Sequence, residues 1–167
     1  MQIASTPPLK RRLACMLYES LLLFGVIFIA DAAFDILTNS RHALFLRGAR
    51  QLWLFLVIGA YFTFFWCRTG QTLAMQTWRL RVIPVSGTKL PLRNAILRYV
   101  LAWMWFLPAM VIDYTFGLKQ WPSVIVIVGG MLLWLAATRL DSDRQFLHDR
   151  LAGTRLVDMP KTPSVMA

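Results

Sequence analysis

The sequence predicts an all-α membrane protein with about four transmembrane helices, and a short cytoplasmic amphipathic helix and hairpin between helices 2 and 3. Three observations predict it. Hydrophobic residues make up 57% of the 167-residue chain and charged ones only 16%, against about 25% charged in a soluble domain. Apolar runs long enough to cross a bilayer recur along the chain. Basic residues gather in alternate connecting segments, the pattern of a positive cytoplasmic side.

The first span is expected over about residues 13–33, directly after Lys10, Arg11 and Arg12. It is long enough to cross a hydrocarbon core of ~30 Å at ~1.5 Å per residue. Ala30-Asp31-Ala32 resembles a leader cleavage site, but the length of the run and Glu19 within it favour a retained helix. The second span covers about residues 52–66, with a start as early as Leu44 allowed, and Trp53 and Trp66 near its ends suit the membrane interface. The third covers about residues 95–114, with a kink expected at Pro108. The fourth covers about residues 121–138, and Gly129-Gly130 would let a neighbouring helix approach closely. Residues 1–6 and 161–167 are expected to be disordered ends of a membrane domain spanning 7–160.

Between spans two and three the chain is too polar to cross. Leu73 to Trp78 suits a short amphipathic helix on the cytoplasmic face. Leu80-Arg81-Val82-Ile83 reads as extended, Ser86-Gly87 as a turn, and Lys89-Leu90-Pro91-Leu92 as the return arm of a small hairpin.

Orientation follows from the cations. Of the 18 Lys and Arg residues, the outside segments would hold only Arg41, Arg47, Arg50 and Lys119, which sets both termini inside. The net charge of +10 then belongs to a surface facing anionic lipid headgroups. No nucleic-acid module is visible, so nucleic acid is not an expected partner. Cys15 and Cys67 fall near cytoplasmic helix ends and form no metal-ligand spacing, and His42 and His148 lie on opposite sides of the membrane. No metal or cofactor is implied. Ser20 has no histidine in reach, and the chain carries no P-loop, dinucleotide glycine motif or haem attachment sequence. An enzyme is not expected.

Glu19 is the most informative residue. It lies ~9 Å inside the first span, where an ionised carboxylate costs on the order of 2.5–3.5 kcal/mol. It must face the bundle interior, carry a proton, or meet a cation. Arg12 lies seven residues earlier on the same helix face, with Cα atoms ~10 Å apart. Two readings stand: a buried polar clamp between helices, or an ion-coupling site. Asp31, Asp35 and Asp113 fall near outer helix ends and are expected to be interfacial and solvated. Gln71 and Thr72 offer neutral polar groups at the inner interface, as a vestibule lining or as the cap of the helix that begins there.

Three ordered blocks resemble the RDD family of bacterial membrane proteins, named for one Arg and two Asp. They are Arg12-Leu13-Ala14 with Glu19 seven residues after the Arg, Gly70-Gln71-Thr72-Leu73-Ala74-Met75 with Leu80-Arg81-Val82, and Arg144 to Thr154 with His148-Asp149. Leu97-Arg98-Tyr99 also fits the family's third helix entry. The likeness covers about residues 7–160. Glu19 stands where the first Asp is usual, and Ala74 replaces a common Gly. The resemblance implies a multi-pass protein of the bacterial inner membrane, for which transport of unidentified ligands is suggested. It makes Asp149 the second Asp, expected to fold back and pair with Arg12 or Arg98, or to bind backbone N–H groups around Gly153-Thr154. Four helices are few for an aqueous pathway, so a homo-oligomer is expected. The rival reading is a scaffold that binds a partner protein.

Overall fold

The computed structural model describes residues 6–39, 46–86, 89–138 and 145–159. The chain is mostly helical and divides into two compact units, Met1–Val82 with Val157–Ala167, and Ile83–Leu156.

In the first unit, α1 runs Leu9–Thr38 and α2 runs Arg47–Arg68. Both are long and apolar enough to cross a bilayer. At 30 residues, α1 is ~45 Å long and overruns the expected span at both ends. Its buried positions are Arg12, Cys15, Glu19, Ala30 and Phe34. Their spacing keeps one stripe at the helical period. Leu17, Leu21, Phe24 and Phe28 form a separate exposed apolar stripe, which suits lipid. Contacts between the helices fix an antiparallel hairpin: Trp53 Nε1 donates to the Ala30 carbonyl at 2.8 Å, and Tyr61 reaches back to Glu19. The start of α2 near Leu44 lies outside the described residues, as do His42 and Arg41.

The segment after α2 turns sharply at Gly70, whose φ is +73°. A Cβ there would sit 2.8 Å from the Val82 carbonyl oxygen, and the Val82 N–H donates to the Gly70 carbonyl at 2.8 Å. Glycine is required on both counts. The short helix α3, Leu73–Thr77, forms where expected, with Ala74 and Met75 buried, and packs on α1.

β1 spans Leu80–Pro84, and β2 spans Thr154–Asp158. They make a two-stranded sheet. Met159 N–H donates to the Arg79 carbonyl in the first unit, and Val85 N–H donates to the Gly153 carbonyl in the second, so the strands are antiparallel. This corrects the expected hairpin. The extended segment is real, but its partner comes from beyond the fourth apolar run. Pro91 is the residue before a helix, with Leu92 as its first position, a place that suits a residue without an N–H. The turn at Ser86-Gly87 is only partly within the described residues.

In the second unit, α4 runs Leu92–Ala102 and α5 runs Leu107–Phe116, separated by a 3₁₀ turn over Trp103–Trp105. The two helices are bent by 41° and together are long and apolar enough for a broken span or a re-entrant loop, so the structure has two or three candidate spans among the described residues rather than an established four. Pro108 acts one turn earlier than its own position. It has no N–H for the Met104 carbonyl, and its ring crowds that turn, so the chain tightens into 3₁₀ there. α6, Trp121–Ala137, is apolar throughout, but at 17 residues it measures ~25 Å. It packs on α5, where Gly130 allows close contact: a Cβ there would come to 3.0 Å of the Ala109 Cβ. Gly129 faces open space. The last helix, α7, is one turn over Leu147–Leu151. Arg139, Arg144 and both chain ends expected to be disordered lie, wholly or largely, outside the described residues.

Candidate functional site

Two buried polar clusters hold the expected site residues, one in each unit. In the first, Glu19 is 7% exposed and Thr72 is fully buried. Thr72 precedes α3, and its hydroxyl accepts the Met75 N–H at 3.3 Å as an N-cap. The same hydroxyl donates to Glu19 Oε2. Tyr61 O–H donates to the other carboxylate oxygen at 2.8 Å. Glu19 is thus met by two hydroxyls. The expected charge partner Arg12 is buried two turns earlier on the same face, with Cys15 between them. Gln71 Nε2 donates to the Leu80 carbonyl at 2.7 Å, so Gln71 and Gly70 fasten the link between α2 and β1, while Thr72 bonds Glu19.

Tyr61 was not legible as a site residue. It stands within an apolar run with no motif around it. Its signal was chemical: a carboxylate inside a span needs donors, and Tyr61 brings an O–H into the neighbouring span.

Arg50 was likewise missed. Its guanidinium bonds Asp31 Oδ1 at 2.8 Å and also Asp35, and it lies over the Phe34 ring, 5.2 Å from the centroid. Asp31 and Asp35 are therefore not simply solvated interfacial groups. Separated by four residues, they share a face of α1 and grip the first turn of α2.

At the other end of the first unit, Arg11 pairs with Asp158 at 2.5 Å and donates to the Trp78 carbonyl.

The second cluster is built on α4 and α7. Asp149 is fully buried, and Arg98 is 4% exposed. Arg98 pairs with the Asp149 carboxylate, one of the two partners expected for it. Arg98 also donates to Thr154 Oγ1 at 3.0 Å, and that hydroxyl donates to the Asp149 main-chain carbonyl at 3.1 Å. The tie to Thr154 thus runs through the Asp149 carbonyl. His148 Nε2 stands 3.0 Å from the same carboxylate oxygen that Arg98 engages. Asn94 Nδ2 closes the turn by donating to the Ala152 carbonyl at 2.9 Å. Gly153, with φ +63°, leaves room for it.

Chemically, the first cluster is a carboxylate held by reversible neutral donors inside a span. The second is a charge pair with further polar ties. Asp113 sits on α5 with one buried carboxylate oxygen that has no hydrogen-bond partner among the described residues, and belongs to neither cluster.

A search of curated proteins and a search of solved structures gave no significant match. A family model described as "RDD family" matches residues 6–153, most of the chain, and takes in Arg12, Glu19, Arg98 and Asp149. With its apolar helices, this identifies a membrane protein. The chain belongs to the RDD family.

Proposed function

We propose that this protein moves an ion or small ligand across the bacterial inner membrane, with Glu19 as the group that takes up and releases charge. The observation that carries the reading is the pair of hydroxyls on its carboxylate, from Tyr61 and Thr72. A guanidinium would hold a carboxylate permanently ionised. A hydroxyl donates to a carboxylate, accepts from a protonated one, or turns its oxygen toward a cation. Burial makes each change of state matter energetically. Arg12 is a fixed buried charge on the same helix face, and Asp149, held by Arg98, is the gate carboxylate of the cytoplasmic side.

The topology in this proposal is multi-pass with four spans, both termini cytoplasmic, and the basic segments against anionic lipid headgroups. It counts α4 with α5 as one broken span and α6 as the fourth. The domain extends over residues 7–160, no catalytic step is involved, and a homo-oligomer supplies the pathway that four helices are too few to enclose. The test is flux in proteoliposomes. Glu19→Gln should abolish ion-coupled flux while the protein stays folded, and unchanged flux removes Glu19 from the mechanism.

The second reading is a non-transporting module that holds a partner protein. The Arg98–Asp149 pair and the Arg50 clamp favour it, because both are fixed pairs that lock helices. Purified protein that shows no uptake, yet brings down one consistent partner from detergent extracts, would decide for this reading.

A further inference from the structure

The contacts of the second cluster do not end at Asp149. His148 is 6% exposed, and its ring stacks on Phe146 with centroids 5.4 Å apart. Its Nδ1 lies 3.4 Å from Trp105 Nε1, and Trp105 also meets Phe146 edge-on at 5.3 Å. An indole nitrogen only donates. Nδ1 must therefore be the acceptor and carry no hydrogen. The ring is then neutral with its proton on Nε2, which stands 3.0 Å from Asp149 Oδ1. Side chains in contact run from Trp105 through His148 and Asp149 to Arg98 and Thr154, all within the second unit.

The position of Trp105 gives this chain its meaning. It is the last residue of the 3₁₀ turn that breaks the α4–α5 helix. Pro108 donates no backbone bond back to that turn. The break is thus held from outside by an indole bonded to a histidine, in the block that carries Asp149.

We propose that His148 is a protonation-sensitive latch on the break in the α4–α5 helix. Neutral, it ties Trp105 to the Asp149–Arg98 pair. Protonated, it presents Nδ1–H to the indole N–H, two donors face to face, and the tie cannot persist. The proton also strengthens the attraction of the ring to the Asp149 carboxylate 3.0 Å away, so His148 stays at Asp149 while Trp105 lets go. Acid therefore uncouples the broken helix from the cytoplasmic carboxylate block. Among the described residues, the charged groups tied to the ring are Asp149 beside it and, through the same carboxylate oxygen, Arg98 from α4. The 3₁₀ turn contributes the indole. Imidazole is the side chain whose charge changes in the physiological range, and the latch needs nothing from the transport reading.

The test uses the full chain in lipid nanodiscs, with 5-fluorotryptophan and ¹⁵N-histidine labels. His42→Gln leaves His148 as the single histidine, and Trp105→Phe assigns the indole line. Near about pH 8, the ¹⁵N spectrum should show His148 with its proton on Nε2. Between about pH 8 and 5, Nδ1 should gain a proton, and the Trp105 fluorine line should shift in the same step. His148→Phe should abolish the Trp105 titration. If that variant fails to fold, the joint titration in the His42→Gln chain decides alone. The proposal is overturned by a proton on Nδ1 at the higher pH, by a His148 that never titrates in this range, or by a Trp105 line that stays still while His148 protonates. It is also overturned by a Trp105 line that still titrates in folded His148→Phe.

Discussion

The hydroxyl of Thr72 donates to the Glu19 carboxylate while it accepts the Met75 amide, so one side chain starts a helix and solvates a buried acid. Removing it has two consequences. Thr72→Val loses an N-cap of about 1 kcal/mol and a hydrogen bond to a carboxyl group of about 1–3 kcal/mol. Thr72→Ser retains both functions. Chemical unfolding in mixed micelles should therefore show a clear loss for Val and a much smaller one for Ser. Equal losses would mean that Thr72 acts through its methyl packing.

Tyr61→Phe isolates the second donor. The ring stays, with its edge contacts to Phe62 and Phe65 at 5.3 and 5.0 Å, and only the O–H goes. The expected loss is about 1–2 kcal/mol. In Glu19→Gln, the same Tyr61 change should cost measurably less, because the two groups touch. A cycle that closes with no coupling would show that the Tyr61–Glu19 bond contributes nothing in the membrane.

How far the site was legible depends on the distance its contacts bridge. The shared face of Arg12 and Glu19 follows from helical spacing alone. Thr72 was legible as a cap because capping is local. Tyr61 and Arg50 were not, because each depends on the register between α1 and α2, which no single-helix pattern contains. The hairpin failed for the same reason. β1 has an acceptable local partner in sequence, yet the strand it pairs with in the sheet lies about seventy residues away. Pro108 announced a break but not its place, since a proline disturbs the turn before it.

The glycines offer a sharp contrast. Gly70→Ala puts a Cβ 2.8 Å from a main-chain oxygen at a left-handed φ, and neither the turn nor β1 can move away cheaply. A loss of about 2 kcal/mol or more is expected. Gly25→Ala meets nothing within 4 Å inside α1 and should be neutral or stabilising by up to about 1 kcal/mol. Thermal unfolding of the two variants side by side checks this. A harmless Gly70→Ala would mean that the turn before α3 is not as tight as drawn.

The Arg50 clamp should be a different kind of interaction from the buried pair at Asp149. Asp31 and Asp35 are each about two-fifths exposed, so their attraction to Arg50 is screened. Double-mutant cycles of Arg50→Gln with Asp31→Asn and with Asp35→Asn should show weak coupling at low salt. It should vanish near 1 M, where the screening length is about 3 Å. Coupling that survives high salt would place the clamp in a drier setting than its exposure indicates.

Arg98 and Asp149 should behave in the opposite way. Both are buried, and the carboxylate also holds His148. Asp149→Leu leaves a guanidinium inside the second unit without that carboxylate, and Arg98→Met leaves the acid without its cation. Each single change should cost about 3–5 kcal/mol, enough to reduce the yield of folded protein. The double change removes both charges and both desolvation penalties, so it should cost clearly less than the two singles added. Salt should leave this coupling intact, because counter-ions do not reach the pair. Folded yield and unfolding midpoints of the four variants at low and high salt give the answer. Additive losses would mean that the pair is incidental to the packing of α7 on α4, and that Asp149 is retained for its other contacts.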